Sequence, residues 1–354
     1  MPVRLARSAK TAIMLKGTWT SVSAYHAPNG GQMSNCVTIR VPARLHLGFL
    51  DLNGEVGRRF GSVGLPLSEP ETVVTLSRSA ETGIHGPESE RAGRHLSALC
   101  RHLGIRTNHR LVIEEAIPPH AGLGSGTQIA LAVAAALRTL HGLPLDPAGD
   151  GVFLERGGRS GIGIASFESG GIIIDAGKDD SNAPPPVVAR LPFPDDWRII
   201  LILDHAGHGL HGENEVAAFR SLPPFPAAEA GEICRRVLMG VMPALVERDL
   251  PAFGAGISAI QLMIGTHFAP AQGGVFTSKR VEALARSLAD AGAVGIGQSS
   301  WGPTGFAFAP SAAAAMEMVG AVLKSVPEGI EIRIVRGRNA GATINSTELN
   351  LVGS

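Results

Sequence analysis

From Cys36 to Leu52 the chain reads CVTIRVPARLHLGFLDL, alternating apolar and polar positions as a half-buried strand does. A glycine-punctuated loop and a second strand follow in NGEVGRRFGSVGLPL, and ETVVTLSRS (71–79) repeats the strand pattern. The spacing in ESERAGRHLSALCRHLGI (88–105) predicts an amphipathic helix that stops at Gly104. HRLVIEEAIPPHAGLGSG begins as a strand, breaks at its proline pair and ends in a glycine-rich turn. TQIALAVAAALRTLHG continues as a helix whose small side chains require close packing, stopped at Gly142.

The second half opens with a Gly-Arg-Ser-rich stretch (155–177) and a buried strand, WRIILILDHA (197–206). Residues 227–263 read as helical with a break around Pro251, and residues 278–293 as a further helix. VGIGQSSWGPTGFAFAP gives a second glycine-rich turn and a strand, SAAAAMEMVGAVLKSV a helix, and GIEIRIVRGR the closing strand. This order, without heptads or tandem repeats, predicts an α+β fold of two lobes with mixed strand pairing.

Composition narrows the partners. The chain has 354 residues, 44% apolar and 18% charged, with Lys plus Arg equal to Asp plus Glu at 31 each. A globular protein without a net field is expected, with neither nucleic acid nor an anionic membrane as partner. A single tyrosine argues against a stacking surface for single strands. Cys36, Cys100 and Cys234 are widely spaced and odd in number, which implies reduced thiols and a cytoplasmic setting. No uninterrupted apolar run approaches the roughly 20 residues of a membrane span. The first 32 residues carry Arg4, Arg7, Lys10 and Lys16 but no acid, and Met33 opens a plausible native beginning. The expected layout is therefore a leader (1–33), an N-terminal lobe (34–185), a C-terminal lobe (186–345) and a tail (346–354).

The candidate chemistry begins at PPHAGLGSGTQ (118–128). Its glycines leave backbone N–H groups open at the positive end of a helix dipole, which suits phosphate or diphosphate oxygens. The turn lacks the Gly-Lys-Ser/Thr of a Walker loop, and no strand directly precedes its glycines as in a dinucleotide fingerprint.

VPARLHLGF, PPHAGLGSGTQ and GQSSWGPTGFAF occur in the order of the three motifs of the GHMP kinase superfamily, which the chain resembles over residues 35 to 340. The resemblance implies an N-terminal lobe like ribosomal protein S5 domain 2 and a ferredoxin-like C-terminal lobe. It also exposes a loss. Mevalonate-type kinases carry Pro-Ser-Gly-x-Asp-Asn-Ala, whose aspartate serves the accepting hydroxyl, whereas RSGIGIASFESGG places Gly163 there. Glycine cannot accept a proton, so phosphoryl transfer loses its carboxylate. Ala43-Arg44 likewise stands where kinases tend to have Gly-Lys.

ARLHLGFLDLNGEVGRRFGSVG, GLGSGTQ, GRSGIG and GQSSWGPTG together resemble one branch, the beta-ribofuranosylaminobenzene 5'-phosphate synthases. That family condenses phosphoribosyl diphosphate with 4-aminobenzoate or 4-hydroxybenzoate, releasing diphosphate and carbon dioxide on the way to tetrahydromethanopterin. The resemblance implies that Gly122, Gly124, Ser125, Gly126, Thr127 and Gln128 hold diphosphate, with the Ser125 or Thr127 hydroxyl reaching magnesium. Arg44 and His46, two apart on one strand face, suit the benzoate carboxylate or a phosphate. Arg58 and Arg59 suit the ribose 5'-phosphate, and Arg159 and Ser160 stand at the lost kinase position, facing substrate. Gln298, Ser299, Ser300, Trp301 and Thr304 form the third motif, with Trp301 expected to stack on the aromatic acid. Family likeness also suggests a homodimer.

DHAGHGLHGENE (204–215) spaces His205, His208 and His211 by three in a loop, which is poor zinc geometry; Glu213 or Glu215 near magnesium is the better expectation. In GIIIDAGKDD (171–180), Asp175 precedes Ala176 and Gly177, so the paired-acid signature of ordinary phosphoribosyltransferases is absent. Two rival readings remain at this point: an ATP-dependent GHMP kinase, and a non-catalytic metabolite-binding homologue.

Overall fold

The computed structural model describes residues 34–207 and 222–348. Its spine is an antiparallel pair of long strands, β1 (Ser34–Asp51) and β2 (Phe60–Arg78). Sequence patterning splits β2 in two, but it is one strand. Pro42 pairs with Glu71 and Arg44 with Pro66, so residues 67–70 bulge out between the two registers. Next come β3 (Gly83–His85), α1 (Ser89–His102), β4 (His109–Glu115) and α2 (Ser125–Leu140). They are followed by α3 (Pro147–Phe153), α4 (Ile162–Glu168), β5 (Ile172–Asp175) and β6 (Val187–Leu191).

After β7 (Arg198–Asp204) the chain is mainly helical through α5 (Ala227–Arg236), α6 (Met242–Glu247), α7 (Leu250–Gln272) and α8 (Lys279–Asp290). A π-helical turn (Val237–Val241) joins α5 to α6. The expected break near Pro251 falls at Arg248–Asp249. Arg248 ends α6 in the left-handed region, Asp249 caps α7 through Ala252 N–H, and Pro251 sits in the first turn, where no N–H is needed. The chain then forms β8 (Val294–Gln298), β9 (Thr304–Ala309), α9 (Ala312–Val322), β10 (Ile330–Val335) and β11 (Thr343–Glu348).

Two sheets result among the described residues. The first follows the order β11-β1-β2-β4-β3, with β5 and β6 attached to β2. The second follows β10-β7-β9-β8. The first sheet takes two strands, β6 and β11, from beyond residue 185. β11 reads TINSTE, too polar to announce itself, yet it pairs with β1 from Ser34 to Arg40.

Alternation in β7 explains how the layers stack. Ile199, Leu201 and Leu203 face the core shared with Leu45, Leu47 and α7, while Ile200 and Ile202 face α8 and α9. Helix α2 is buried nearly all round from Gln128 to Leu137, which is why five alanines fit between its neighbours. α7, 23 residues long, is long and apolar enough to cross a membrane by length and composition, a feature that a search for unbroken apolar runs overlooks. Phe253, Ile257, Ile260, Ile264 and Phe268 of that helix are buried in the shared core.

Candidate active site

The three glycine-bearing motifs meet at one end of α2. Arg44 N–H donates to Leu123 O at 3.1 Å, and Arg44 Nη1 to Gly122 O at 2.5 Å. The Arg44 side chain lies along Gly124, its Nε 3.2 Å from where a Cβ would stand. Gly122 (φ +77°) needs its glycine twice: for the left-handed backbone, and because a Cβ would strike the Ser299 carbonyl. Ser299 is fully buried and links all three motifs. Its Oγ accepts from His46 N–H at 3.0 Å and donates to Gly122 O at 2.7 Å. Ser300, with φ +58°, then turns the chain and donates its N–H to His46 O at 3.4 Å.

His46 is 3% exposed, and its Nε2 lies 3.1 Å from Ser62 Oγ. Burial first, then the charges of Arg44 and Arg159, push its pKa down to about 3. It is therefore a neutral imidazole at physiological pH, with Nε2 already engaged, rather than a cation ready for a carboxylate. Ser62 also hydrogen-bonds Asp175, its partner across β2 and β5. The Asp175 carboxylate accepts from Ser160 Oγ (3.2 Å), Gly161 N–H (2.9 Å) and Gly177 N–H (2.9 Å). Burial raises Asp175 to about 6 despite those four donors, so it is mostly ionised at neutral pH. The single Ser62 proton then goes to the carboxylate, and His46 carries its own proton on Nε2.

This chain of bonds ties the GRSGIG turn to β1 and, through Ser299, to the glycine-rich turn before α2. Ser62 and Asp175 were not legible as site residues; Asp175 lacked the adjacent acid of a known signature, and Ser62 is one serine in a strand.

Where kinases hold their catalytic aspartate, Gly163 lies in the first turn of α4. A Cβ there would come within 2.9 Å of Thr127 Cγ2, and Gly163 O accepts from Gln128 Nε2 at 2.8 Å. Gln128 is fully buried and joins α2 to α4, away from the open face of the turn. Ser125 and Thr127 lie at the start of α2, both partly exposed.

Other expected residues are placed differently. Arg58 is engaged with Ala176 O, Gly177 O and Asp179 at 2.8–3.0 Å, bracing the turn after β5. Arg59 is exposed and reaches Asn53 O at 3.4 Å. The Gln298 amide is spent on Thr277 N–H, Gln272 Oε1 and Ser300 O, which hold the third turn in place. Thr304 is fully buried at the start of β9. Trp301 is 3% exposed and packs edge-on against Phe268, with ring centroids 4.4 Å apart. Trp301, His46, Phe49 and Gln298 line a cavity of only about 20 Å³, far below the volume of a benzoate-sized pocket. The tryptophan is thus a core residue under the turn in this conformation.

Glu213, Glu215, His208 and His211 lie outside the described residues, and His205 pairs with Glu331 at 2.9 Å. No group of three or more His, Cys, Asp or Glu side chains suited to a metal occurs among the described residues. The hydroxyls of Ser125 and Thr127 are hard oxygen donors. They fit a magnesium ion that takes most of its ligands from substrate phosphates and water, and they do not form a protein cage.

Comparison with known proteins bears on the fold and the family. The GHMP kinases N terminal domain family matches residues 91–171, and the GHMP kinases C terminal family residues 241–327. The chain is 36% identical over 326 residues to a beta-ribofuranosylphenol 5'-phosphate synthase from Methanothermobacter thermautotrophicus, covering 86% of this chain and 97% of that one. It is 34% identical over 330 residues to the protein of that name from Archaeoglobus fulgidus, covering 86% and 98%. Among solved structures, homoserine kinase from Cytophaga hutchinsonii superposes with a TM-score of 0.64 at 18% identity, over 89% of this chain and 99% of that one. The last likeness speaks for the fold alone. The two-lobed GHMP architecture, the glycine-rich turn at the start of α2 and the identity to the synthases together make the chain a member of the beta-ribofuranosylphenol 5'-phosphate synthase family, within the GHMP kinase superfamily.

Proposed function

We propose that this protein condenses phosphoribosyl diphosphate with 4-hydroxybenzoate or 4-aminobenzoate, releasing diphosphate and carbon dioxide and leaving a C-riboside 5'-phosphate. The observation that carries the reading is the filled kinase position. Gly163 offers no proton acceptor, and its α-carbon and carbonyl are packed against Thr127 and Gln128, while the phosphate turn beside it is intact. A site that keeps a diphosphate cradle without a base for a hydroxyl suits diphosphate as a leaving group. The relatives are named for a ribofuranosyl phenol, and a phenol ring is what 4-hydroxybenzoate leaves after losing its carboxylate. That name favours 4-hydroxybenzoate as acceptor.

In the proposed reaction the bond from the anomeric carbon to diphosphate breaks, and its electron pair leaves with the oxygen. The ring carbon bearing the carboxylate attacks the cationic sugar carbon. The carbon–carboxylate bond then breaks, its pair restores the aromatic ring, and carbon dioxide departs. N–H groups of the Gly122–Gly126 turn and the Arg44 guanidinium receive the charge building on diphosphate. Magnesium, held on the diphosphate with Ser125 or Thr127 hydroxyls in reach, would add positive charge at the same oxygens. Arg159, whose charge is felt at His46, is the cation assigned to the acceptor carboxylate in this reading. His46, neutral and buried, positions Ser299 and Ser62 rather than transferring a proton. The test is product formation from phosphoribosyl diphosphate with each acid in turn, beside an ATP-only control. Turnover with 4-hydroxybenzoate is expected; ATP-dependent phosphorylation of an alcohol, without C-riboside, would overturn the reading.

A further inference from the structure

Across the first turn of α2 from Arg44 stands a second guanidinium that no motif identifies. Arg156 follows α3, held by its N–H to Gly151 O at 2.7 Å, and its Nη1 lies 3.5 Å from where a Cβ on Gly126 would stand. Its Nε is buried and has no hydrogen-bond partner among the described residues. Beside it, α1 presents Arg91 and His95. His95 is 8% exposed, and its Nε2 is likewise buried without a partner among the described residues. The nearby acids are engaged unequally: Glu88 pairs with Arg91 at 3.0 Å and Glu90 pairs with Arg94, whereas Glu155 acts on Arg156 without an ion pair among the described residues.

Burial, then Arg91, lowers the pKa of Arg156. Burial, then Arg156, Arg91 and Arg94, drives His95 to about 4. Both shifts mark the same thing: positive charge in a partly desolvated place, with no carboxylate paired directly to Arg156 among the described residues. A helix N-terminus adds to that field.

We propose that Arg156, with Arg91 and His95 beside it, binds the terminal phosphate of the diphosphate, forming with Arg44 a two-armed clamp on the first turn of α2. The inference rests on the diphosphate reading of the site. Arg44 takes the side of Gly124 and Arg156 the side of Gly126, so a diphosphate spanning the turn meets a cation at each end. His95 Nε2 is the remaining polar atom that such an oxyanion would satisfy.

The test titrates the full chain with inorganic diphosphate and, separately, with ribose 5-phosphate, using wild type, Arg156→Gln and Arg156→Lys. Arg156→Gln breaks no side-chain hydrogen bond or ion pair among the described residues, so its urea midpoint should stay near that of wild type. Diphosphate binding should weaken at least tenfold in Arg156→Gln and recover in part in Arg156→Lys, with ribose 5-phosphate binding unchanged. Unchanged diphosphate affinity in an enzyme that still turns over overturns the clamp alone. Selective loss of ribose 5-phosphate binding overturns the assignment to diphosphate. Arg156-dependent diphosphate binding in a protein that releases no carbon dioxide overturns the synthase reading and leaves the clamp standing. Wild type that binds no diphosphate overturns both.

Discussion

At the scale of single residues, Ser299 does the most with the least. One hydroxyl joins the strand that carries His46 to the turn that carries Gly122, in a place where water cannot substitute. Ser299→Ala removes a donor and an acceptor from buried partners and should cost about 1–3 kcal/mol of stability. Urea unfolding measures it, and a change under about 0.5 kcal/mol, the scatter of ordinary surface substitutions, would refute this linking role. The motif GQSSWGPTG showed that the residue mattered but misassigned its work. A polar residue in a glycine-rich turn reads as a ligand contact when only the sequence is in hand. Burial decides otherwise for Ser299 and Gln298, whose polar atoms bond to the protein's own backbone and amides, and for Gln128, whose Nε2 goes to Gly163 O. The same limit hid Arg156, because nothing in its local sequence tells that α1 and the start of α2 come together around it.

At the scale of elements, periodic segments were readable and contextual ones were not. The helices at 89–102, 125–140 and 279–290 and the strand at 198–204 lie within a few residues of their sequence patterns, since each has a long apolar stripe or run. β11 and α4 escaped because one is polar and the other seven residues long. Packing of α4 on α2 also sets Gly163 against Thr127, at the position where the resembled kinases carry an aspartate. Gly163→Asp should not create ATP-dependent phosphoryl transfer. It should instead destabilise the fold by about 1–3 kcal/mol, as overpacking does. Equilibrium unfolding and a phosphoryl-transfer assay check the two halves, and gain of kinase activity would show that only the carboxylate was lacking.

At the scale of the whole molecule, desolvated histidines dominate the response to acid: buried His46 and His95, and half-buried His141, which follows α2 and meets His109 at 2.8 Å. His46 titrates near 3, and His95 and His141 near 4, against an ordinary 6.5. Between pH 6.5 and 4 the unfolded chain binds protons at these sites that the folded chain refuses, so stability falls as the pH falls. Asp175 acts in the opposite sense: its pKa near 6 lets the folded state bind a proton between pH 6 and its ordinary 3.8. Glu168, also raised by burial, acts with it; the three histidines outweigh these two carboxyls, and the urea midpoint should drop steadily from pH 6.5 to 4. A flat or rising midpoint in that window would mean that these rings are hydrated in solution.

The function itself turns on whether diphosphate leaves a sugar or a phosphoryl group leaves ATP. Release of labelled carbon dioxide from carboxyl-labelled 4-hydroxybenzoate, by the purified protein with magnesium and phosphoribosyl diphosphate, separates the two most directly. Release that requires phosphoribosyl diphosphate and is not supported by ATP is expected. No release from either 4-hydroxybenzoate or 4-aminobenzoate, with ATP consumed in the presence of an alcohol, would mean that the chain works as the kinase its fold resembles.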